Sequence, residues 1–150
     1  MVNFWDTSAL ASLLVREADT ELREAELLDG GPTVVWWGTR LELCSALERR
    51  RREGGLSAEA YAAANARMEV LKKQWHVVRP SDFCLERAER LPALHPLRAA
   101  DAFQLAAALL ACSERTKEAD FHCSDRRLCE AAEREGFRVF TGGRCRSPRW

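Results

Sequence analysis

The stretch Val2-Asn3-Phe4-Trp5-Asp6-Thr7-Ser8-Ala9-Leu10-Ala11-Ser12-Leu13-Leu14-Val15 changes periodicity at a single carboxylate. Before Asp6 lies a short apolar run that reads as a strand. After it the apolar residues recur at helical spacing. The same alternation continues along the chain. A second helix is expected over 20–28, closed by Gly30-Gly31-Pro32. The β-branched and aromatic run Thr33-Val34-Val35-Trp36-Trp37 reads as a buried strand. The helix after it, 40–53, stops at Gly54-Gly55.

Ser57 can cap a long helix reaching about residue 74. A third strand is expected at 75–79, and a helix capped by Ser81 or Asp82 runs to 91. Pro92 and Pro96 bracket a loop. An Ala-rich helix is expected over 98–117, a weak fourth strand at 120–124, a helix from Asp125 to Gly136, and a fifth strand at 137–141. The tail, 142–150, holds three arginines and a proline and is expected to be loose. Strands separated by helices imply an α/β fold whose parallel sheet is covered on both faces. Ligands of such sheets sit beyond the carboxyl ends of the strands.

At 150 residues the chain is sized for one domain, 1–150, able to bury a sizeable core. With 47% hydrophobic and 31% charged residues it reads as soluble and globular. Twenty-three basic residues balance 23 acidic ones, so nucleic acid cannot be held by bulk charge. The opening residues lack the basic region of a secretory signal, and the most apolar run, 102–112, is too short to span a bilayer and contains Gln104. A cytoplasmic protein without membrane contact is expected. Its six cysteines, Cys44, Cys84, Cys112, Cys123, Cys129 and Cys145, form no C-x-x-C pair and read as free thiols.

Four carboxylates fall where the sheet rule places a site. Asp6 ends the first strand, Glu42 lies in the first turns of the helix after the second, Asp101 interrupts the apolar segment 97–110, and Asp125 follows the fourth strand. Each has an ordinary structural explanation. Asp6 and Asp125 can cap helices, Glu42 suits a helix start, and Arg98 can pair with Asp101. Asp101 is the sharpest signal, because an Asp in an apolar helix is expensive to bury unpaired. Parallel topology puts all four on one edge of the sheet. Carboxylates gathered there repel one another, and a divalent cation relieves this; oxygen ligands suit Mg²⁺ or Mn²⁺. A receiver domain needs paired acids after the first strand and a lysine after the last, and a haloacid-dehalogenase phosphatase needs D-x-D. Thr7-Ser8 after Asp6, and Thr141-Gly142-Gly143-Arg144, satisfy neither.

Taken in order, Asp6-Thr7-Ser8-Ala9-Leu10, Glu42, Arg98-Ala99-Ala100-Asp101-Ala102-Phe103-Gln104, and Ser124-Asp125-Arg126-Arg127-Leu128 with Gly136 beyond resemble the motifs of the PIN-domain ribonucleases, most closely the VapC-type toxins. The resemblance spans nearly the whole chain. It implies a three-layer α/β/α sandwich with a five-stranded parallel sheet, and Mg²⁺- or Mn²⁺-dependent cleavage of RNA with one or two ions. It also implies a homodimer and a cognate antitoxin. Asp6, Asp101 and Asp125 are then metal-binding residues, with Glu42 a ligand or the orienter of the attacking water. Ser8 and Ser124 are candidate supporting donors. Arg98, Arg126 and Arg127 are candidate substrate contacts, whereas the run Arg49-Arg50-Arg51-Arg52 reads first as a solvated helix end, with phosphate contact to RNA as its functional alternative. One position departs from the family: Cys123 stands where Thr is frequent. The alternative of a catalytically inactive PIN-like module binding RNA or protein is distinguished by loss of an acid, and all four are present.

Overall fold

The computed structural model describes residues 1–143, so most of the tail expected to be loose lies outside the described residues. Strands β1 (Val2–Trp5), β2 (Thr33–Trp36), β3 (His76–Val78), β4 (Ala119–His122) and β5 (Arg138–Phe140) form one sheet in the order β3-β2-β1-β4-β5. Every pairing is parallel. The strand order reverses between β1 and β4, which makes their carboxyl ends the switch point where a crevice opens.

Alternation along the strands sends neighbours to opposite faces. Trp5 and Val35 enter an apolar cluster with α1 (Thr7–Leu14), α3 (Thr39–Arg52) and α4 (Ala58–Lys72). Phe4, Trp36 and Phe121 enter another with α5 (Asp82–Glu89), α7 (Ala99–Ala111) and α8 (Arg126–Arg134). The result is a three-layer α/β/α sandwich. Ala102, Ala106, Ala107 and Ala108 are buried in α7, and their small side chains suit close approach of that helix to the sheet. Helix α2 (Thr20–Asp29) packs on α1, and the short α6 (Leu91–Leu94) joins α5 to α7. Ser57 and Ser81 cap α4 and α5 by accepting from Ala60 N–H at 3.1 Å and Cys84 N–H at 3.0 Å.

Three expectations are corrected. Pro92 lies in the first turn of α6 rather than bounding a loop, because a missing N–H there removes no helical hydrogen bond. The helix read as 98–117 ends at Ala111. Ser113 and Glu114 turn left-handed at φ 51° and 63°, and Glu114 N–H closes the helix end on Leu109 O at 2.9 Å. A one-turn 3₁₀ segment, Thr116–Glu118, then leads into β4. Trp37 is 54% exposed rather than core, since β2 stops one residue earlier.

The leucines of the first two helices divide likewise: Leu10 and Leu13 are core, whereas Leu28 is exposed. Cys44, Cys84, Cys112, Cys123 and Cys129 are free thiols, and Cys145 lies outside the described residues. Among the described residues no helix is long and apolar enough to cross a membrane.

Candidate active site

At the switch point, Asp6, Glu42, Asp101 and Asp125 line one cleft of about 650 Å³. Each is placed by the end of a strand or the start of a helix. Asp6 N–H continues the β1–β4 ladder by donating to His122 O at 2.9 Å, and its side chain caps α1 by accepting from Ser8 N–H at 3.1 Å. Asp125 caps α8, accepting from Leu128 N–H at 2.9 Å. Glu42 sits in the first turn of α3. Asp101 sits in the first turn of α7, and its carboxylate accepts from the backbone of Arg98. The capping roles of Asp6 and Asp125 and the helix-start position of Glu42 coexist with the cleft position, whereas the expected pairing of Asp101 with Arg98 is not an ion pair among the described residues.

The support of Asp6 is concentrated on Oδ2. Ser8 Oγ donates to it at 2.5 Å, and the Cys123 thiol does so at 3.5 Å. Ser8 Oγ in turn accepts from Ser124 N–H at 2.8 Å, and Cys123 Sγ accepts from Asp125 N–H at 3.3 Å. Ser8 and Cys123 thereby tie the β1 and β4 ends together and hold the backbone that carries Asp125. The Ser124 hydroxyl goes elsewhere, accepting from Arg23 Nη2 at 2.8 Å, so Ser124 supports the site through its main chain. Cys123 makes the contact with Asp6 that the departure from Thr left open, with a longer, weaker thiol donor.

Glu42 is held by residues that sequence reasoning did not single out. Thr7 Oγ1 donates to it at 2.8 Å, and Gln104 Nε2 lies 3.3 Å from each of its oxygens. Gln104 is fully buried and also reaches Thr7 and Thr39 hydroxyls at 3.0 Å. Its signal was visible: it is the polar residue inside the apolar run of α7, on the turn that follows Asp101.

Electrostatics bind the four acids into a set. Burial pushes the Asp6 carboxyl up to about 6, against the Ser8 hydrogen bonds, and the charge of Glu42 adds to the rise. Burial also raises Glu42, with the charge of Asp101 contributing. Asp101 is raised by burial and then by the charge of Asp125, partly countered by Arg98 and Arg127. Among the described residues none of the four forms an ion pair; nearby arginines are engaged with other acids, Arg50 with Glu17, Arg23 with Asp19 and Glu26, and Arg126 with Glu130. Carboxylates that share a cleft and lack ion pairs form a donor set that fits a divalent ion with oxygen preference. As they stand, no three His, Cys, Asp or Glu side chains among the described residues already enclose an ion-sized point.

The arginines are distributed differently from the sequence reading. Arg49 and Arg50, read as a solvated helix end, line the cleft, whereas Arg98, Arg126 and Arg127 are absent from its wall. Arg98 and Arg127 still act on Asp101 through their charge.

Fold and site define an α/β protein with a parallel sheet and four carboxylates at its switch point. Residues 4–141 match the PIN domain, and the chain belongs to that family. Among solved structures it is similar to a toxin–antitoxin complex from Klebsiella pneumoniae, with a TM-score of 0.62 and 16% identity over 93% of this chain and 97% of that one. A Pyrobaculum aerophilum protein gives 0.61 and 17% over 87% and 79%. VapBC2 from Rickettsia felis, bound to a DNA fragment from its promoter, gives 0.58 and 11% over 83% and 88%. At these identities the likeness is one of fold. No curated protein matches the chain.

Proposed function

We propose that this chain is a metal-dependent endoribonuclease, hydrolysing RNA phosphodiester bonds, and the toxin of a toxin–antitoxin pair. The observation that carries the reading is the convergence of Asp6, Glu42, Asp101 and Asp125 in one cleft, with none of them in an ion pair among the described residues. Membership of the PIN family supports the nuclease, and the toxin–antitoxin complexes among its structural neighbours support a cognate antitoxin. The proposal extends to one or two Mg²⁺ or Mn²⁺ ions, a homodimer and a cytoplasmic setting.

Asp6, Asp101 and Asp125 would hold the metal. When bound, such an ion supplies positive charge to the phosphoryl oxygens and makes water acidic enough to attack near neutral pH. Glu42 orients the attacking water. Its raised pKa brings it closer to the range of a useful proton acceptor, and the Thr7 and Gln104 hydrogen bonds fix its carboxylate. Ser8 and Cys123 keep Asp6 in one rotamer while the strand ends keep it beside Asp125.

The test is cleavage of a mixed RNA panel in EDTA, Mg²⁺ or Mn²⁺, comparing wild type with Asp101→Asn. Metal-dependent cutting that disappears in the variant is expected. Binding of RNA or protein without cutting under any metal, with the fold intact, would instead mark an inactive module.

A further inference from the structure

The four consecutive arginines that close α3 have four different environments. Arg50 is paired with Glu17 at the margin of the cleft. Arg51 lies over the Tyr61 ring at 4.7 Å and pairs with Glu48 at 3.6 Å, on the side that faces α4. Arg52 is exposed and lies off the cleft wall. Arg49 lines the cleft, is exposed, and has no ion pair among the described residues.

Glu42, Ser45, Ala46 and Arg49 all line the cleft, and their spacing of three, four and seven places them on one face of α3. At 1.5 Å per residue, Arg49 stands about 10 Å along the helix from Glu42. The middle of this face carries only a hydroxyl and a methyl, so it leaves room for an extended chain. A backbone crossing the acids meets an unpaired guanidinium at this distance on the α3 side. Beyond the acids, the charges of Arg98 and Arg127 act on Asp101.

We infer that the cleft-facing side of α3 is a track for the RNA backbone, with Arg49 gripping a phosphate a few nucleotides from the scissile bond. This rests on the nuclease reading above and adds a subsite to it. A guanidinium binds phosphate in a bidentate fork, and its contact carries no base information. Arg49 therefore sets how tightly long substrates bind rather than which sequence is cut. A dinucleotide occupying the acids alone does not reach it.

The experiment is equilibrium binding to a fluorescent uridine 12-mer in Ca²⁺ buffer, with uridylyl-uridine as a competitor. Wild type is compared with Arg49→Ala, Arg49→Lys and Arg52→Ala; the last removes the same charge from the same run. Arg49→Ala is expected to weaken the 12-mer about tenfold and to flatten the slope of log affinity against log salt by about 0.7, one phosphate contact on a single strand. Arg49→Lys recovers part of the loss, Arg52→Ala stays within twofold of wild type, and dinucleotide competition is unchanged in all. Equal losses in Arg49→Ala and Arg52→Ala, an equal loss for the dinucleotide, or no binding of the 12-mer by wild type would overturn the inference. The two readings fail separately. Binding with this pattern but no cleavage under any metal sinks the nuclease and leaves the track. Cleavage of long RNA indifferent to Arg49→Ala sinks the track and leaves the nuclease.

Discussion

Two groups of acids, each containing one buried carboxylate, lie on either side of Ser124, and they solve the same electrostatic problem in opposite ways. Behind Ser124, Asp19 and Glu26 of the α2 region meet Arg23, which is 0% exposed. Arg23 contacts Glu26 at 2.9 Å and Asp19 at 3.6 Å, and also donates to the carbonyls of Cys123 at 2.9 Å and Phe140 at 3.1 Å. His122 completes the group, with Nδ1 3.2 Å from Glu26 and Nε2 2.6 Å from Asn3 Oδ1. Burial alone would raise the Glu26 carboxyl, but the His122 hydrogen bond and the Arg23 charge outweigh it and hold it below its usual range. In front of Ser124, Asp6 is buried, has only hydroxyl, thiol and N–H donors, and rises to about 6. The acids that fasten α2 to the sheet are ion-paired, whereas among the described residues Asp6, Glu42, Asp101 and Asp125 are not, although Arg49 and Arg50 line their cleft. On the function proposed above, this difference separates a structural acid cluster from one that would receive a cation from outside.

The largest effect that would break this contrast is on stability. Arg23→Met leaves Asp19 and Glu26 buried without their cation and should cost about 3–5 kcal/mol in urea unfolding. A loss below about 1 kcal/mol would mean that the cluster behind Ser124 is not held by charge. Asp6→Asn should act with the opposite sign. A carboxyl whose pKa is raised on folding contributes stability that is full below its unfolded value near 4 and is lost as pH rises through about 6. Wild type should therefore lose stability relative to Asp6→Asn between about pH 4 and 6. Near pH 7 in EDTA the variant should be the more stable by on the order of 2–3 kcal/mol. Thermal melts across that range, showing no pH-dependent difference, would contradict the unpaired state of Asp6.

Smaller changes sharpen the picture of the cleft. Gln104→Leu keeps the volume of α7 but removes the donor shared by Glu42, Thr7 and Thr39. Cleavage should fall about 10–100-fold with the fold retained; unchanged kinetics would show that Glu42 needs no such orientation. Cys123→Ser replaces a long thiol contact with a shorter hydroxyl donor to Asp6 and should alter metal affinity less than about tenfold. Calorimetric metal titration measures it, and complete loss of affinity would assign the thiol a larger part than holding Asp6.

The contrast also explains which parts were legible in the sequence. The cleft acids announced themselves because strand ends and helix starts share one edge of a parallel sheet, so Asp6, Glu42, Asp101 and Asp125 follow from element order alone. Arg23 did not. In Thr20-Glu21-Leu22-Arg23-Glu24 the charged residue reads as solvated and the leucine as inward, yet Arg23 is buried and Leu22 is exposed. Helical periodicity assigns the inner face to apolar residues and misses a face buried through ion pairs. Gly142, read as the start of a loose tail, is part of this same cluster. At φ +70° it packs where a Cβ would meet Asp19 Oδ2 at 2.6 Å and Arg23 Nε at 2.8 Å, a tertiary reason for a glycine that its neighbours in sequence do not reveal. The end of α7 was misplaced for a related reason: Ser113 and Glu114 adopt the left-handed turn without the glycine that marks such ends. Sequence alone does not tell the four arginines of the α3 run apart, because they differ only in which side of the helix they occupy; Arg49 and Arg50 line the cleft and Arg51 and Arg52 do not.

A cation drawn from solution into the cleft is read out by a Mn²⁺ titration followed by electron paramagnetic resonance, with wild type and Asp6→Asn compared at pH 7.5. Wild type should deplete the signal of free Mn²⁺ saturably, with one or two ions bound, and Asp6→Asn should lose that depletion while remaining folded. A wild-type protein that leaves all Mn²⁺ free at millimolar concentration, or an Asp6→Asn variant that binds it equally well, would contradict the account.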